Sequence, residues 1–326
     1  MKFLSPMLIL AFIACFGVAA CSAELNTNQY GGTLYFGIGQ SIEELDMKSR
    51  DVHPIYYNQV LSMRSIYAID NNHLLINALQ FGPMQSGDAR QIAERTSRGY
   101  TPSNRVFVLD LTNRTLARIF VNASAQDAVF LPGHEAIVFG GMKKGSTRGG
   151  LYWIQRSDPD DWHMIDTNVS YEYPPVVVSD DAVVYRDQNG AVKMFDLVSN
   201  RLSVLNISDC YPVLWRSATQ QLVCISAYAS NSSYFYLISL DGKGRERLPI
   251  RYGPFVYIPR YDLMLLSGVR GAFSWRYLRP YETSDLWSYD FKTRKVEMFL
   301  PRGQAMLGAV YFPNKAEFAP EFRIPR

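Results

Sequence analysis

Histidine and cysteine are scarce, four of each in 326 residues. His53, His73, His134 and His163 stand too far apart for an H-E-x-x-H helix or another common ligand spacing, so no metal is expected. The chain also lacks a G-x-S-x-G elbow, a P-loop and a dinucleotide fingerprint, and no cofactor is expected. Asp158-Pro159-Asp160-Asp161 lacks the turn glycine and terminal carboxylate of a calcium loop and reads as an acidic turn. Glu43, Glu44, Asp127 and Glu172 are scattered, and a glycosidase reading would need them to converge in space. Charge is sparse as well, 19% of residues with a formal net of +3, too small an excess for a dedicated nucleic-acid binder. Four cysteines exclude a disulfide-dense scaffold.

What the chain does have is apolar and aromatic residues. At 48% hydrophobic it can bury a large core, and 21 Tyr and 18 Phe favour strands over a helical bundle. The longest apolar run, Phe3 to Ala20 after Lys2, is too short for a comfortable membrane span. Its charged start and small-residue exit are those of a secretory signal. The exit Val18-Ala19-Ala20-Cys21 resembles the bacterial lipoprotein signal, which implies lipidation of Cys21 as the mature first residue. Ser22 stands where that resemblance would put an inner-membrane retention Asp, which implies the outer membrane. An ordinary signal cleaved near Ala20 or Ala23 is the alternative. Asn113, Asn122, Asn168, Asn206 and Asn231 each begin an N-x-S/T triplet, so a secreted glycoprotein is kept as a minor reading. The expected organisation is a signal at 1–20, a lipidated tether at 21–29 and one domain at 30–326.

That domain repeats. VFVLDLTNRTLARIF (106–120), LYWIQRSDPDDWHMI (151–165), VKMFDLVSNRLSVL (192–205), FYLISLDGKGRERL (235–248) and LWSYDFKTRKVEMF (286–299) each read as strand, polar turn, strand. Their turn-entry residues Asp110, Gln155, Asp196, Ser239 and Asp290 are 45, 41, 43 and 51 apart, the period of a four-stranded propeller blade. The intervals between supply two inner strands per blade. LGAVYFP (307–313) reads as an inner strand without its hairpin, and GTLYFGIG with SIEELDM (32–47) as an outer hairpin without inner strands. Joining them closes a six-bladed all-β propeller, with seven blades also possible, and removes the free sheet edges. No convincing amphipathic helix interrupts the pattern; the one candidate, Asp88 to Thr96, is polar. In strings such as YLISLDGKG and MFDLVSNRL the chain resembles the TolB-like and WD40-like propeller repeats of periplasmic proteins, though without the WD40 Trp-Asp and Gly-His signatures.

Loops between second and third strands should share one face with the links between blades, and three read as long: Gly82 to Arg105, Gly140 to Gly150 and Ser267 to Asp285. Together they hold ten basic and four acidic residues. The candidate ligand residues are Arg90, Arg95, Arg98, Tyr100, Lys143, Lys144, Arg148, Arg270, Trp275, Arg276, Tyr277 and Arg279. Arginine forks match carboxylates and phosphates and flat rings stack on sugars, so an acidic glycan or acidic protein surface is the expected partner. Basic residues also gather on the opposite face, at Lys243, Arg245, Arg247, Lys292, Arg294 and Lys295. The preferred function is a non-catalytic, lipid-anchored binding or scaffold protein on the periplasmic side of the outer membrane. The alternative is a propeller-type hydrolase or lyase acting on glycans or lactones. Cys210 and Cys224 fall on the inner strands of the fourth blade. A hairpin turning at Ala218 to Gln220 sets Cys210 opposite Ala227 or Tyr228, roughly 10 Å from Cys224 at strand rise. A bridge needs its Cα atoms within about 7 Å, so the count favours two buried thiols unless a bulge corrects the register.

Overall fold

The computed structural model describes residues 30–81, 103–120, 123–143, 149–171, 173–226, 234–250, 253–274, 279–303 and 307–313. Strands β1 (Thr33–Ile38), β2 (Ser41–Asp46) and β3 (Val52–Tyr57) form one four-stranded sheet with the last strand, β24 (Leu307–Phe312), in the order β24-β1-β2-β3. The first blade follows with β4 (Leu61–Asp70), β5 (His73–Gln80), β6 (Ser103–Asp110) and β7 (Thr115–Arg118), and the second with β8 (Ala123–Leu131), β9 (Ala136–Lys143), β10 (Gly150–Gln155) and β11 (Asp158–Asp166). The third is β12 (Val176–Ser179), β13 (Ala182–Arg186), β14 (Val192–Asp196) and β15 (Arg201–Val204); the fourth is β16 (Tyr211–Arg216), β17 (Gln221–Ile225), β18 (Phe235–Ser239) and β19 (Glu246–Arg247). The fifth is β20 (Gly253–Ile258), β21 (Leu263–Ser274), β22 (Arg279–Asp290) and β23 (Lys295–Gly303). Every neighbouring pair is antiparallel. The first strand of each blade touches the first strand of the next, from β24 through β4, β8, β12, β16 and β20 back to β24. These six ring the axis of a six-bladed propeller.

The repeat markers are placed as the spacing predicts. Asp110, Gln155, Asp196, Ser239 and Asp290 are each the last residue of the third strand of a blade. The Asp at this position accepts backbone N–H bonds in the turn that follows, as Asp110 Oδ1 does from Thr112 and Asn113, and Asp290 Oδ1 from Lys292 and Thr293. The core is divided among the seams, one apolar cluster between each pair of adjacent blades. Strand alternation produces this, since residues on one face of a blade meet the next blade and those on the other face meet the previous one. In the closing blade Tyr35 packs toward β4 and β5 while Leu34 and Phe36 pack toward the fifth blade.

Three expectations are corrected. The N-terminus contributes three strands to the closing blade, so 32–47 supplies its second and third strands and Val52–Tyr57 the outermost. The latter carries Pro54 and is mostly half-exposed, so it lacks the apolar alternation that marks a strand. Ser267 to Asp285 is a ladder: β21 and β22 run on as a hairpin from Ser267↔Leu286 to Ser274↔Arg279. Gly268, Gly271 and Pro280 hide that continuity in the sequence. Cys210 and Cys224 are bridged, with Cα atoms 5.2 Å apart. Two one-residue shifts bring them together. The turn takes four residues, pairing Arg216 with Gln221, and a bulge between Pro212 and Leu214 then sets Pro212 opposite Cys224. The bridge closes a short loop, 14 residues apart in sequence, inside the fourth blade. Replacing both cysteines by Ala should cost about 3 kcal/mol by loop-closure arithmetic. Mass spectrometry of unreduced peptides and chemical denaturation check it; free thiols, or a loss under about 1 kcal/mol, would contradict it.

Candidate functional site

Alternating strands divide the propeller into two faces. Turns within the inner and outer hairpins of each blade lie on one, the turn face; second-to-third loops and blade links lie on the other, the loop face. Of the basic residues expected on the loop face, Lys143 ends β9 and is exposed. Arg270 and Arg279 sit on the paired strands of the long hairpin, Arg270 opposite Thr283 and Arg279 opposite Ser274. Arg90, Arg95, Arg98, Tyr100, Lys144, Arg148, Trp275, Arg276 and Tyr277 lie outside the described residues, as do Cys21, the candidate helix at 88–96 and Glu172.

The best-defined part of the loop face is the link between the second and third blades. Lys193 Nζ on β14 lies 2.8 Å from Asp166 Oδ2 and 3.0 Å from Asp187 Oδ2. Asp166 also accepts from Tyr185 OH at 2.8 Å and from the Asn168 N–H at 2.9 Å. Asp187 accepts from the Ala191 N–H at 2.8 Å and Asn168 Nδ2 at 3.2 Å. Lys193 with its hydrogen bonds holds both carboxyls below the usual range against a burial that pushes them up. The Ser170 N–H donates to Arg186 O at 3.0 Å. The link from Asp166 to Tyr171 is thus stapled to the third blade. Its Asn168 amide is committed to Asp187, which leaves it poorly placed as a glycan acceptor.

The staple fixes an aromatic surface. Tyr171 and Tyr173 are each 39% exposed. A Cβ on Gly140 would lie 2.6 Å from Tyr171 Cε1, so the ring in this position needs that glycine, and one on Gly149 would lie 3.2 Å from its hydroxyl, a tight contact. Gly149, Thr167, Tyr171 and Gln188 line a cavity of about 370 Å³. Beyond the tight turn of the third blade, the Arg186 guanidinium stacks 3.8 Å over Tyr211, whose ring is 5.4 Å from Tyr173. In the next seam Arg245 donates to Asp209 Oδ2 at 2.9 Å and Tyr234 OH at 2.8 Å and lies 3.9 Å over Tyr236. Arg245, expected among the free charges of the opposite face, is instead paired in this cluster.

Asp127 stands at a register break in β8, the innermost strand of the second blade, with φ of 55°. Burial pushes its carboxyl up to about 6, Arg64 acting in the opposite sense. The phenols of Tyr67 and Tyr171 are raised, first by burial and then by Asp127 among other neighbours. Glu43 and Glu44 are on β2, the third strand of the closing blade. The described carboxylates of the scattered set therefore do not converge, and among the described residues no cluster of three or more His, Cys, Asp or Glu could hold a metal.

No family model and no curated protein sequence matches the chain. Solved structures do. TolB from Acinetobacter baumannii superposes with a TM-score of 0.57 at 10% identity, over 85% of this chain and 67% of that one. A putative TolB from Agrobacterium tumefaciens gives 0.55 at 11% identity, over 87% of this chain and 100% of that one. The chain shares its fold with TolB. The expected TolB-like six-bladed architecture is therefore observed, while identities this low carry no residue roles across.

Sequence reasoning missed Tyr171, Tyr173, Arg186 and Tyr211. The signal was available in SYEYPP (170–175), a tyrosine-rich link between two blades ending in consecutive prolines. It lies in a link of ordinary length, whereas the search followed long loops.

Proposed function

We propose that this is a non-catalytic binding or scaffold protein, lipid-anchored through Cys21 on the periplasmic side of the outer membrane, whose loop face docks an envelope protein or anionic envelope polymer. The observation that carries the reading is the exposed tyrosine and arginine surface of that face, Tyr171 and Tyr173 beside the Arg186 stack on Tyr211. Rings with a polar tip and stacked guanidinium groups are the side chains that dominate binding hot spots. The start of the domain supports it. The Gly31 N–H donates to Tyr261 OH at 2.6 Å, Gly31 O accepts from Tyr311 OH at 2.9 Å, and Tyr30 packs on Tyr261 and Phe299. These contacts pin the chain start on the turn face. A tether of residues 21–29 reaches about 30 Å at full extension, so a lipid at Cys21 would leave the loop face turned away from the bilayer.

The test is crosslinking and pull-down from envelope with the anchor intact. Lys143→Glu, Lys144→Glu and Arg276→Glu together should lower partner recovery about tenfold, chiefly by slowing association, and the loss should fade at high salt. Lys292→Glu with Lys295→Glu on the turn face should leave recovery unchanged. Equal recovery with the triple variant would overturn the face assignment; no partner together with a bound metal would overturn the scaffold reading. The enzyme reading, a glycan or lactone hydrolase or lyase, has one observation in its favour, the carboxyl of Asp127 raised by burial on an inner strand.

A further inference from the structure

We infer that the cavity between the second and third blades is a subsite for one neutral sugar ring, with Tyr171 as its stacking platform. The inference rests on the reading of the loop face as the binding face and names a ligand class for one part of it. Three observations carry it. The ring is seated: it packs closely over Gly140, where a Cβ would lie 2.6 Å from Cε1, and near Gly149, and its link is stapled through Asn168 and Ser170 to the third blade. A platform held this way loses little conformational freedom when a ligand arrives.

The described lining residues are uncharged. Thr167 and Gln188 offer a hydroxyl and an amide beside the ring; of the nearby described charges, Asp166, Asp187 and Lys193 are bonded to one another, Asp187 buried and the other two half-buried, while the Asp127 carboxyl acts on the Tyr171 phenol. A hydroxyl donates and accepts, and an amide does both from separate atoms, which suits a ligand rich in hydroxyl groups. A pyranose has one face of C–H groups for the tyrosine and an edge of hydroxyls for Thr167 and Gln188. None of the described lining residues carries a charge to pair with an ionic ligand. Size agrees, since about 370 Å³ lies at the small end of ligand cavities. The arginine-rich expectation of an anionic ligand does not extend to this cavity.

The test uses the full chain in a non-glycosidic detergent, titrated with cellotetraose, mannotetraose and chitotetraose, and with tetragalacturonate as the acidic arm. At least one neutral tetrasaccharide should bind with Kd of about 1 mM or tighter, with little dependence on salt. Tyr171→Ala should weaken that binding about tenfold or more, Tyr171→Phe much less. Gln188→Ala should weaken it about fivefold, and Lys292→Glu with Lys295→Glu on the turn face not at all. Thermal melting of Tyr171→Ala separates a lost platform from a lost fold, and the Phe and Gln188 variants keep the test valid if that variant melts early. Binding of none of the neutral sugars at about 10 mM, equal affinity in Tyr171→Ala, or salt-dependent binding of tetragalacturonate alone would each overturn the inference. Sugar binding that persists when envelope pull-down yields no partner would overturn the scaffold reading and leave the subsite standing.

Discussion

Lys193→Met should cost about 3 kcal/mol of stability, because it removes the cation shared by Asp187, which is buried, and Asp166, which is half-buried. Asp166 and Asp187 are 11% and 4% exposed, and Lys193 is 14% exposed. Methionine matches the length of the lysine stem, so packing changes little and the deficit is electrostatic. The pH dependence separates the two. Both carboxyls are depressed below their ordinary 3.8, so their contribution is fully present above about pH 4 and drains away as pH falls through the depressed values. The raised Lys193 ammonium contributes below its ordinary 10.5 and is lost only in strong base. In the variant the two carboxylates face each other uncompensated, and at least one binds a proton more readily. Denaturation from pH 7 down to pH 3 should therefore show the gap between wild type and variant narrowing. A gap that stays constant would assign the loss to packing and defeat the electrostatic account. Melting of the link would also release Tyr171, so sugar binding should fall with it.

This cluster shows where the sequence stops being legible. Asp166, Tyr185, Asp187 and Lys193 come from the end of one blade and a hairpin of the next, and nothing in their spacing distinguishes them from ordinary surface polar residues. The propeller itself was legible because each blade repeats one local event, a strand ending in a turn-forming residue, five times at nearly equal intervals. Local chemistry writes that pattern. Register is written differently. A bulge adds one residue to one strand without a fixed residue type, so the extra residue near Val213, which brings Cys210 to Cys224, left no mark a residue count could detect. The long hairpin of the fifth blade was misread for a related reason. Its glycines and proline signal a loop by composition, yet cross-strand pairing carries the ladder through them. The tyrosines of the loop face were visible as residues but not as a surface, since the seat of Tyr171 over Gly140 brings together positions far apart in sequence.

A second bulge gives the other large effect. Asp127 and Ala128 drop out of the β8–β9 ladder, where pairing passes from Gln126 to Val129. Ala128 is fully buried, so its backbone N–H and C=O need partners from elsewhere. Asn77, on β5 of the preceding blade, supplies both. The Ala128 N–H donates to Asn77 Oδ1 at 2.7 Å, and Asn77 Nδ2 donates to Ala128 O at 2.9 Å and to Ser65 Oγ at 2.8 Å. The side-chain amide thus stands in for a missing strand residue and joins two blades across their seam. Asn77→Leu keeps the volume and strands both backbone groups at a cost of about 4 kcal/mol, or about 8 °C in melting temperature for a chain of this size. Ser65→Ala, which leaves the Ala128 pair intact, should cost only about 1 kcal/mol. Asn77→Asp should not rescue, because a carboxylate accepts from the Ala128 N–H but has no hydrogen for its C=O and carries a charge into the seam. Thermal melting of the three variants decides it. An Asn77→Leu protein as stable as the Ser65→Ala protein would mean that the bulge repacks once its partner is gone, and would defeat this account.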